Sequence, residues 1–149
     1  HGINVCVLIV GDGSYEAELK NSLSKNQKEF LLFAGKHLED AVLYILASDI
    51  VVLPGQGGLA VNHALLCGKP VIATNEADAI TDYIINYVNG FIVDVATPKM
   101  IADKLMEFFY DSNLYGILRS GAIESAKKIT LSNMVDGIES AIWYVAKKS

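Results

Sequence analysis

Residues 49–73 read Asp-Ile-Val-Val-Leu-Pro-Gly-Gln-Gly-Gly-Leu-Ala-Val-Asn-His-Ala-Leu-Leu-Cys-Gly-Lys-Pro-Val-Ile-Ala, and this stretch decides the fold of the chain. Two short apolar runs, residues 49–53 and 70–73, enclose a glycine-rich turn and a helix predicted over residues 59–66. The pattern predicts a strand, loop, helix, strand unit whose loop follows the carboxyl end of the first strand. Ligands of parallel α/β sheets bind at that end.

The glycine-rich loop predicts an anion site, most simply for the phosphates of a nucleotide. Its glycines lack side chains, so the backbone could approach a ligand closely and adopt positive φ. The helix behind them would direct free N–H groups and the positive end of its dipole at the same space. An ordinary βα turn explains the glycines alone equally well. The candidate binding residues of the loop are Gly55, Gln56, Gly57, Gly58 and Leu59.

Length and composition favour a single domain with its own core. The chain has 149 residues, of which 52% are hydrophobic and 19% charged. Its net charge of -5 argues against a nucleic-acid partner, which would require a basic surface. No apolar run approaches the roughly 20 residues of a membrane span, and we expect no signal peptide because a strand opens the chain. Cys6 and Cys67 are expected to be buried free thiols, which favours a reducing, cytoplasmic setting.

Alternating apolar and helical patterns predict an α/β fold, a Rossmann-like parallel sheet with helices on both faces in three layers. The nearly continuous apolar run at residues 4–10 is typical of a strand buried on both faces. The predicted strands are residues 4–10, 30–33, 49–53, 71–73 and 91–93. Helices are predicted over residues 38–47, 59–66 and 79–85. Extra helices follow at the carboxyl end, at residues 100–110 after a Thr97-Pro98 cap, 113–129 and 132–147.

Four further motifs accompany the central stretch in a fixed order. They are Val7-Leu-Ile-Val-Gly-Asp-Gly13, Phe33-Ala-Gly35, Ala47-Ser-Asp-Ile-Val-Val-Leu-Pro54 and Asn89-Gly-Phe-Ile-Val93. In this order the chain resembles the donor-binding half of retaining glycosyltransferases of family 4, which have the GT-B architecture. The resemblance implies transfer of a sugar from a nucleoside diphosphate sugar, the donor substrate, to an acceptor saccharide or lipid. It implies no metal and no further cofactor.

Part of the resembled pattern is absent. In the family the donor domain starts with a strand that ends in a Gly-Arg turn, and a lysine-bearing helix follows; both charges neutralise the donor diphosphate. This chain starts one strand later, and its first arginine is Arg119. We therefore expect residues 1–149 to be one donor-binding domain of a longer protein, lacking the first strand and the N-terminal acceptor domain and inactive alone. The parent is expected in the cytoplasm or at the periphery of the inner membrane.

The resemblance also assigns roles to side chains near the central loop. The family has two glutamates around this loop, and their positions fall on Gly55 and His63, eight residues apart. His63 would then hold the ribose through a ring nitrogen, with Leu59 and Leu66 turned partly toward the sheet. A helix histidine satisfied by a neighbour is the alternative for His63.

Two more residues are candidates for donor binding. His37 follows the Phe33-Ala-Gly35 turn, where the family approaches the base, and is otherwise a plain loop histidine. Asp82 falls near a family glutamate, and with Glu76 and Asp78 it is otherwise part of a solvated helix face favoured by the dipole. The three scattered histidines do not predict a metal site, and no catalytic residue can be assigned.

Because both glutamates are missing, a second function stays open. The chain could belong to a degenerate glycosyltransferase and act as a non-catalytic nucleotide-sugar-binding or partner-interaction module. A five-stranded receiver or flavodoxin-like domain fits the number of strands. It does not fit the Gly68-Lys-Pro-Val71 segment, and the clustered acids that receivers need near the N-terminus are absent.

Overall fold

The computed structural model of this chain describes residues 5–55, 57–75, 80–93 and 97–148. The chain divides into two compact units, His1–Ala47 and Ser48–Ser149. The first unit contains a two-stranded parallel sheet in which Val7 pairs with Leu31 and Ile9 with Phe33. Its elements are β1 (Val7–Val10), α1 (Glu16–Ser22), α2 (Lys25–Lys28), β2 (Leu31–Gly35) and α3 (Ala41–Ala47).

The second unit contains a three-stranded parallel sheet in the order β3-β4-β5. Val52 pairs with Ile72, and Ile72 pairs with Phe91, so these three side chains lie side by side on one face. The parallel strands and intervening helices confirm the expected α/β class. The elements are β3 (Val51–Leu53), α4 (Leu59–Leu66), β4 (Val71–Thr74), α5 (Ile80–Tyr83), β5 (Gly90–Val93), α6 (Pro98–Tyr110), α7 (Leu114–Ala126) and α8 (Leu131–Ala146).

The core of the second unit lies against the central strand β4. All four residues of β4 are buried, which is the pattern of a strand covered on both faces. On one face a cluster joins the sheet to α6 and α7, and it consists of Ile72, Phe91, Phe108, Leu114 and Leu118. Burial of each such side chain contributes about 1.5–3 kcal/mol to the free energy of folding. The cluster therefore fixes the carboxyl-terminal helices to the sheet.

Two expectations about the first unit, the burial of β1 and the burial of Cys6, are wrong. Val7 and Val10 are 42% and 39% exposed, so β1 is not buried on both faces. Within the described residues β1 pairs with β2 alone, and no residue of 5–47 is buried. For the same reason Cys6 is exposed, while Cys67 is partly buried; both thiols are free. None of the described helices is long and apolar enough to cross a membrane.

The Asn89-Gly90 pair fastens the sheet to the helices around it. Asn89 is fully buried, and its Oδ1 accepts a hydrogen bond of 2.7 Å from the backbone N–H of Ile85. Its Nδ2 donates to the Tyr83 carbonyl at 2.7 Å and to Ser125 Oγ at 2.8 Å. A Cβ at Gly90 would collide with the Val71 carbonyl oxygen of the neighbouring strand. Both residues of this motif therefore have a structural role.

Replacing Asn89 should test that role. Asn89→Ala removes three hydrogen bonds and leaves the Ile85 N–H, the Tyr83 carbonyl and Ser125 Oγ without these partners, so we expect the free energy of unfolding to fall by roughly 1–3 kcal/mol. The matched control is Asn113→Ala at an exposed helix end where the side chain makes no capping bond, with an expected change within about 0.5 kcal/mol. Urea denaturation measures both, and equal effects of the two substitutions would contradict the fastening role.

Candidate nucleotide-binding site

The described glycines of the loop after β3 differ in whether packing or backbone conformation requires a glycine at their position. Gly58 has φ +46° and ψ -135°, a backbone conformation that side chains rarely allow. Gly57 is buried, and a Cβ there would lie 3.0 Å from Val61 Cγ2 and 3.1 Å from Leu53 Cδ1. A Cβ at Gly55 would meet no heavy atom within 4 Å. Only Gly55 therefore lacks a packing or conformational reason to be glycine; Gln56 lies outside the described residues.

The loop leads directly into the N-terminus of α4. Gly58 is the N-cap residue, so no side chain caps the helix. The first turn of a helix carries N–H groups without intrahelical partners and about half a positive elementary charge. Leu53 and Ala73 are paired at the carboxyl ends of β3 and β4, which places this helix end beside the ends of two parallel strands. The arrangement suits an anion that approaches from the strand ends.

His63 lies on the exposed face of α4. The buried residues of this helix are Val61, Ala64 and Leu65, whereas Leu59 is 71% exposed and Leu66 is 55% exposed. The exposed side chains at positions 59, 63 and 66 follow the spacing of one helix face. The prediction that Leu59 and Leu66 turn toward the sheet is therefore wrong, because the sheet-facing positions are taken by the three buried residues. His63 is accessible to a ligand.

Asp82 belongs to a helix that starts beside the glycine loop. Ile80, the first residue of α5, is buried, and its Cδ1 lies 3.3 Å from the position of a Cβ at Gly57. Asp82 itself is exposed in the first turn of α5, where a carboxylate is favoured by the helix dipole. Its donor-binding role stays a prediction; Glu76 and Asp78 lie outside the described residues.

His37 lies in the first unit, at the carboxyl end of β2. Both of its ring nitrogens are within hydrogen-bond distance of protein groups: Nδ1 is 2.8 Å from Asp40 Oδ1, and Nε2 is 3.0 Å from the Ala34 carbonyl. The Tyr44 hydroxyl is 2.8 Å from Nε2. The hydrogen bond to Asp40, the bond to the Ala34 carbonyl and the charge of Asp40 raise the pKa of His37, while desolvation opposes them. Donor binding by this side chain is untested, and its ring is already committed to the protein.

Two buried polar atoms escaped the sequence analysis. Thr74 Oγ1 and Asn62 Oδ1 have no hydrogen-bond partner among the described residues. Thr74 is 1% exposed and ends β4, one residue beyond the Leu53–Ala73 pair. In the sequence, Thr74 could have been recognised as a candidate site residue because its hydroxyl ends an otherwise apolar strand. Within the same described residues no three histidine, cysteine or acidic side chains are grouped to hold a metal.

Comparison with known proteins identifies the protein family to which this chain belongs. Residues 1–129 match the family of glycosyl transferases group 1, and the chain belongs to this family. It is 31% identical over 121 residues to CapM of Staphylococcus aureus, a glycosyltransferase of capsular polysaccharide biosynthesis, covering 76% of this chain and 30% of CapM. An uncharacterized glycosyltransferase of Methanocaldococcus jannaschii is 23% identical over 134 residues, which cover 87% of this chain and 38% of that protein.

A solved structure confirms the fold. HepE of Anabaena, crystallised in complex with UDP, superposes with a TM-score of 0.79 at 22% identity, over 94% of this chain and 41% of HepE. The family match confirms the expected membership in the glycosyl transferases of group 1, and the superposition on HepE confirms the fold. The chain spans well under half the length of each of these relatives.

The glycine loop yields a prediction on stability. Gly58→Ala forces a Cβ into a strained backbone conformation, so we expect the free energy of unfolding to fall by about 1–3 kcal/mol. Gly55→Ala is the matched control, since it meets open space and should change that energy by less than about 0.5 kcal/mol. Chemical denaturation measures the free energy of unfolding of both variants. If Gly55→Ala is as unstable as Gly58→Ala, the conclusion that the backbone conformation requires glycine only at position 58 of the two is wrong.

Proposed function

We propose that this chain is the donor-binding part of a retaining glycosyltransferase. It binds a nucleoside diphosphate sugar at the carboxyl ends of β3 and β4. The sugar passes to an acceptor saccharide or lipid held by another part of a longer protein. One observation carries the proposal: a glycine-rich loop at the end of a parallel strand enters a helix whose N-cap, Gly58, has no side chain.

The proposed chemistry is electrostatic. When the glycosidic bond breaks, negative charge grows on the departing diphosphate. Backbone N–H groups and the dipole at the start of α4 are already oriented, so they stabilise that charge without reorganisation. The proposal needs no metal, because these groups supply the compensating charge. His63, exposed one turn into α4, donates or accepts a hydrogen bond at the ribose.

The relatives support this choice of ligand. HepE has been crystallised with UDP and with UDP-glucose, and it shares the fold of this chain. CapM, the nearest in identity of the relatives described above, is a glycosyltransferase of polysaccharide biosynthesis. UDP is therefore the first nucleotide to test, with GDP and ADP beside it.

We also propose that the parent protein completes the sheets of this chain. Among the described strands, β1 pairs only with β2, and β3 pairs only with β4. An unpaired strand edge presents a row of N–H and C=O groups that another strand can bond. A strand outside residues 1–149 would pair there, and this part of the protein alone would bind its donor weakly and transfer no sugar.

One observation favours a second function. Glycine and histidine occupy positions 55 and 63, where the resembled family has glutamates. Without those carboxylates the parent could bind a nucleotide sugar and transfer nothing, as a degenerate partner of an active enzyme. One assay distinguishes the two functions. A protein with either function would bind UDP, but only an active enzyme would consume a UDP-sugar when the acceptor is present.

Calorimetric titration of the full-length protein with UDP, GDP and ADP tests the proposal. We expect one of them to bind, and His63→Ala to weaken that binding about threefold to tenfold through loss of one hydrogen bond. His63→Glu should retain or strengthen binding by restoring a carboxylate at the ribose.

Leu66→Ala is the matched control, because Leu66 is exposed on the same helix face near the far end of α4. It should bind nucleotide as the wild type does. Absence of binding by all three nucleotides at millimolar concentration would overturn the proposed function. Equal losses in His63→Ala and Leu66→Ala would remove His63 from the site.

A further inference from the structure

We propose that Tyr44 is a nucleophilic tyrosine that accepts an acyl group, with His37 as its general base and Asp40 orienting the histidine. The acyl donor is a small thioester. All three side chains belong to the first unit, so the inference does not depend on the donor site proposed in the second unit. It assigns these residues a chemical role that is separate from sugar transfer.

The three side chains form a hydrogen-bonded series from a carboxylate to a hydroxyl. Asp40 Oδ1 lies 2.8 Å from Nδ1 of His37, and Nε2 of the same ring lies 2.8 Å from the Tyr44 hydroxyl. A hydroxyl within hydrogen-bond reach of an imidazole that a carboxylate orients is the arrangement that activates nucleophiles in covalent catalysis. The geometry therefore makes Tyr44 the group that reacts.

Consecutive segments of the first unit build this cluster. His37 lies in the loop after β2, Asp40 directly precedes α3, and Tyr44 lies within α3. The loop starts at Gly35, whose φ of +79° favours glycine. The centroids of the His37 and Tyr44 rings are 4.4 Å apart, with the ring planes at 49°. The short loop and the ring contact together keep the hydroxyl beside the imidazole.

The neutral form of the ring can act as the base. The ionised Asp40 carboxylate only accepts hydrogen bonds, so the neutral imidazole carries its hydrogen on Nδ1 and donates it to Asp40. Nε2 then has a free lone pair, and the Tyr44 hydroxyl is placed to donate to it. In the charged ring Nε2 also carries a hydrogen, which the Ala34 carbonyl at 3.0 Å accepts. Protonation of His37 therefore removes the base.

The groups around the ring set the pH at which the base becomes available. The hydrogen bond to Asp40 raises the pKa of His37 above the ordinary 6.5; desolvation opposes this, and the Ala34 carbonyl and the Asp40 charge add to the rise. Lys36 and Glu39 share the loop, and neither forms an ion pair with the ring in the part of the chain that the structure describes. The strand β2 and the helix α3 contain no charged residue. The nucleophile should therefore become more reactive as the pH rises through this raised pKa.

The proposed step transfers an acyl group and needs no oxidant or reductant. The Tyr44 oxygen forms a bond to the carbonyl carbon of the thioester while its proton passes to Nε2 of His37, and Asp40 stabilises the imidazolium. The tetrahedral intermediate then breaks its carbon–sulfur bond, and the departing sulfur takes the proton from Nε2. The products are an acyl ester of Tyr44, a free thiol and the neutral ring.

Charge favours an acyl group over a phosphoryl group at this hydroxyl. A phosphorylated tyrosine carries about two negative charges. At Tyr44 these would lie across one imidazole ring from the Asp40 carboxylate, which already pairs with that ring. An acyl ester is neutral and adds no repulsion.

Acetylation by phenyl thioacetate tests the proposal in the full-length protein. Peptide mapping by mass spectrometry compares the rate at Tyr44, which is partly exposed, with the rates at Tyr15 and Tyr110, which are 77% and 63% exposed. If exposure alone set the rate, Tyr44 would react more slowly than both. General-base catalysis contributes about 10²–10⁴-fold in enzymes, and for a reagent that the protein does not hold in place we expect Tyr44 to react at least about tenfold faster than Tyr110 above the pKa of His37.

Three variants separate the base, its orientation and the charge of the loop. His37→Gln can bond the hydroxyl but cannot take its proton, so Tyr44 should then react no faster than Tyr110. Asp40→Asn should lower the pKa of His37, which moves the rise in rate to lower pH and reduces the rate above it. Glu39→Gln removes the same charge from the adjacent exposed position and should react as the wild type does.

Two results would overturn the inference: Tyr44 reacting no faster than Tyr110 at any pH, or His37→Gln leaving the rate at Tyr44 unchanged. Circular dichroism checks the fold of each variant, and if His37→Gln does not fold, the pH profile of Asp40→Asn decides in its place. A profile identical to that of the wild type would then contradict the role of the histidine. None of these measurements involves UDP, so failure here leaves the proposed donor site standing, and failure of UDP binding leaves this inference standing.

Discussion

The structure of the second unit depends on burying β4 on both of its faces. Ile72 lies between Val52 and Phe91 on one face, which α6 and α7 cover. Val52 and Leu53 point to opposite faces because side chains alternate along a strand, and Leu53 meets the α4 side near Gly57. Because the central strand of this sheet is covered on both faces, a polar ligand is expected to approach at the strand ends. The position of the candidate site is thus a consequence of the core.

The same constraint explains why the loop after β3 is rich in glycine. The chain must leave a buried strand, pass close to Val61 and Ile80, and start a helix within a few residues. Gly57 is required by that packing and Gly58 by its backbone angles, which leaves Gly55 free of structural demands. A position without a structural demand is where a ligand can be accommodated. Gly57 and Gly58 thus meet demands of the fold at the start of α4, where phosphate binding is proposed, and Gly55 adds open space beside them.

The sequence predicted the elements whose patterns are strong and local. The helix at Leu59–Leu66 and the Thr97 cap followed by Pro98 are as expected, because glycine, proline and threonine act on their immediate neighbours. The helix at Lys25–Lys28 was missed, since four polar residues held by a capping box show no apolar periodicity. Burial of β1 was predicted wrongly, because an apolar run does not reveal how many neighbours cover it. The hydrogen bond from Asn89 to Ser125, which lies 36 residues away, is set by tertiary packing, so no local pattern indicated it.

The most direct test of donor binding at the loop between β3 and α4 is to measure which backbone amide signals of the full-length protein change when UDP is added. In a titration followed by ¹⁵N-resolved spectra, we expect the largest chemical-shift changes at residues 55–60, smaller ones at His63, and none in the exposed helix Leu131–Ala146. Phosphate bound at the start of α4 would change the chemical shifts of the N–H groups that face it more than those of other amides. Saturating shifts confined to other parts of the protein, with the signals of residues 55–60 unchanged, would contradict donor binding at the loop after β3.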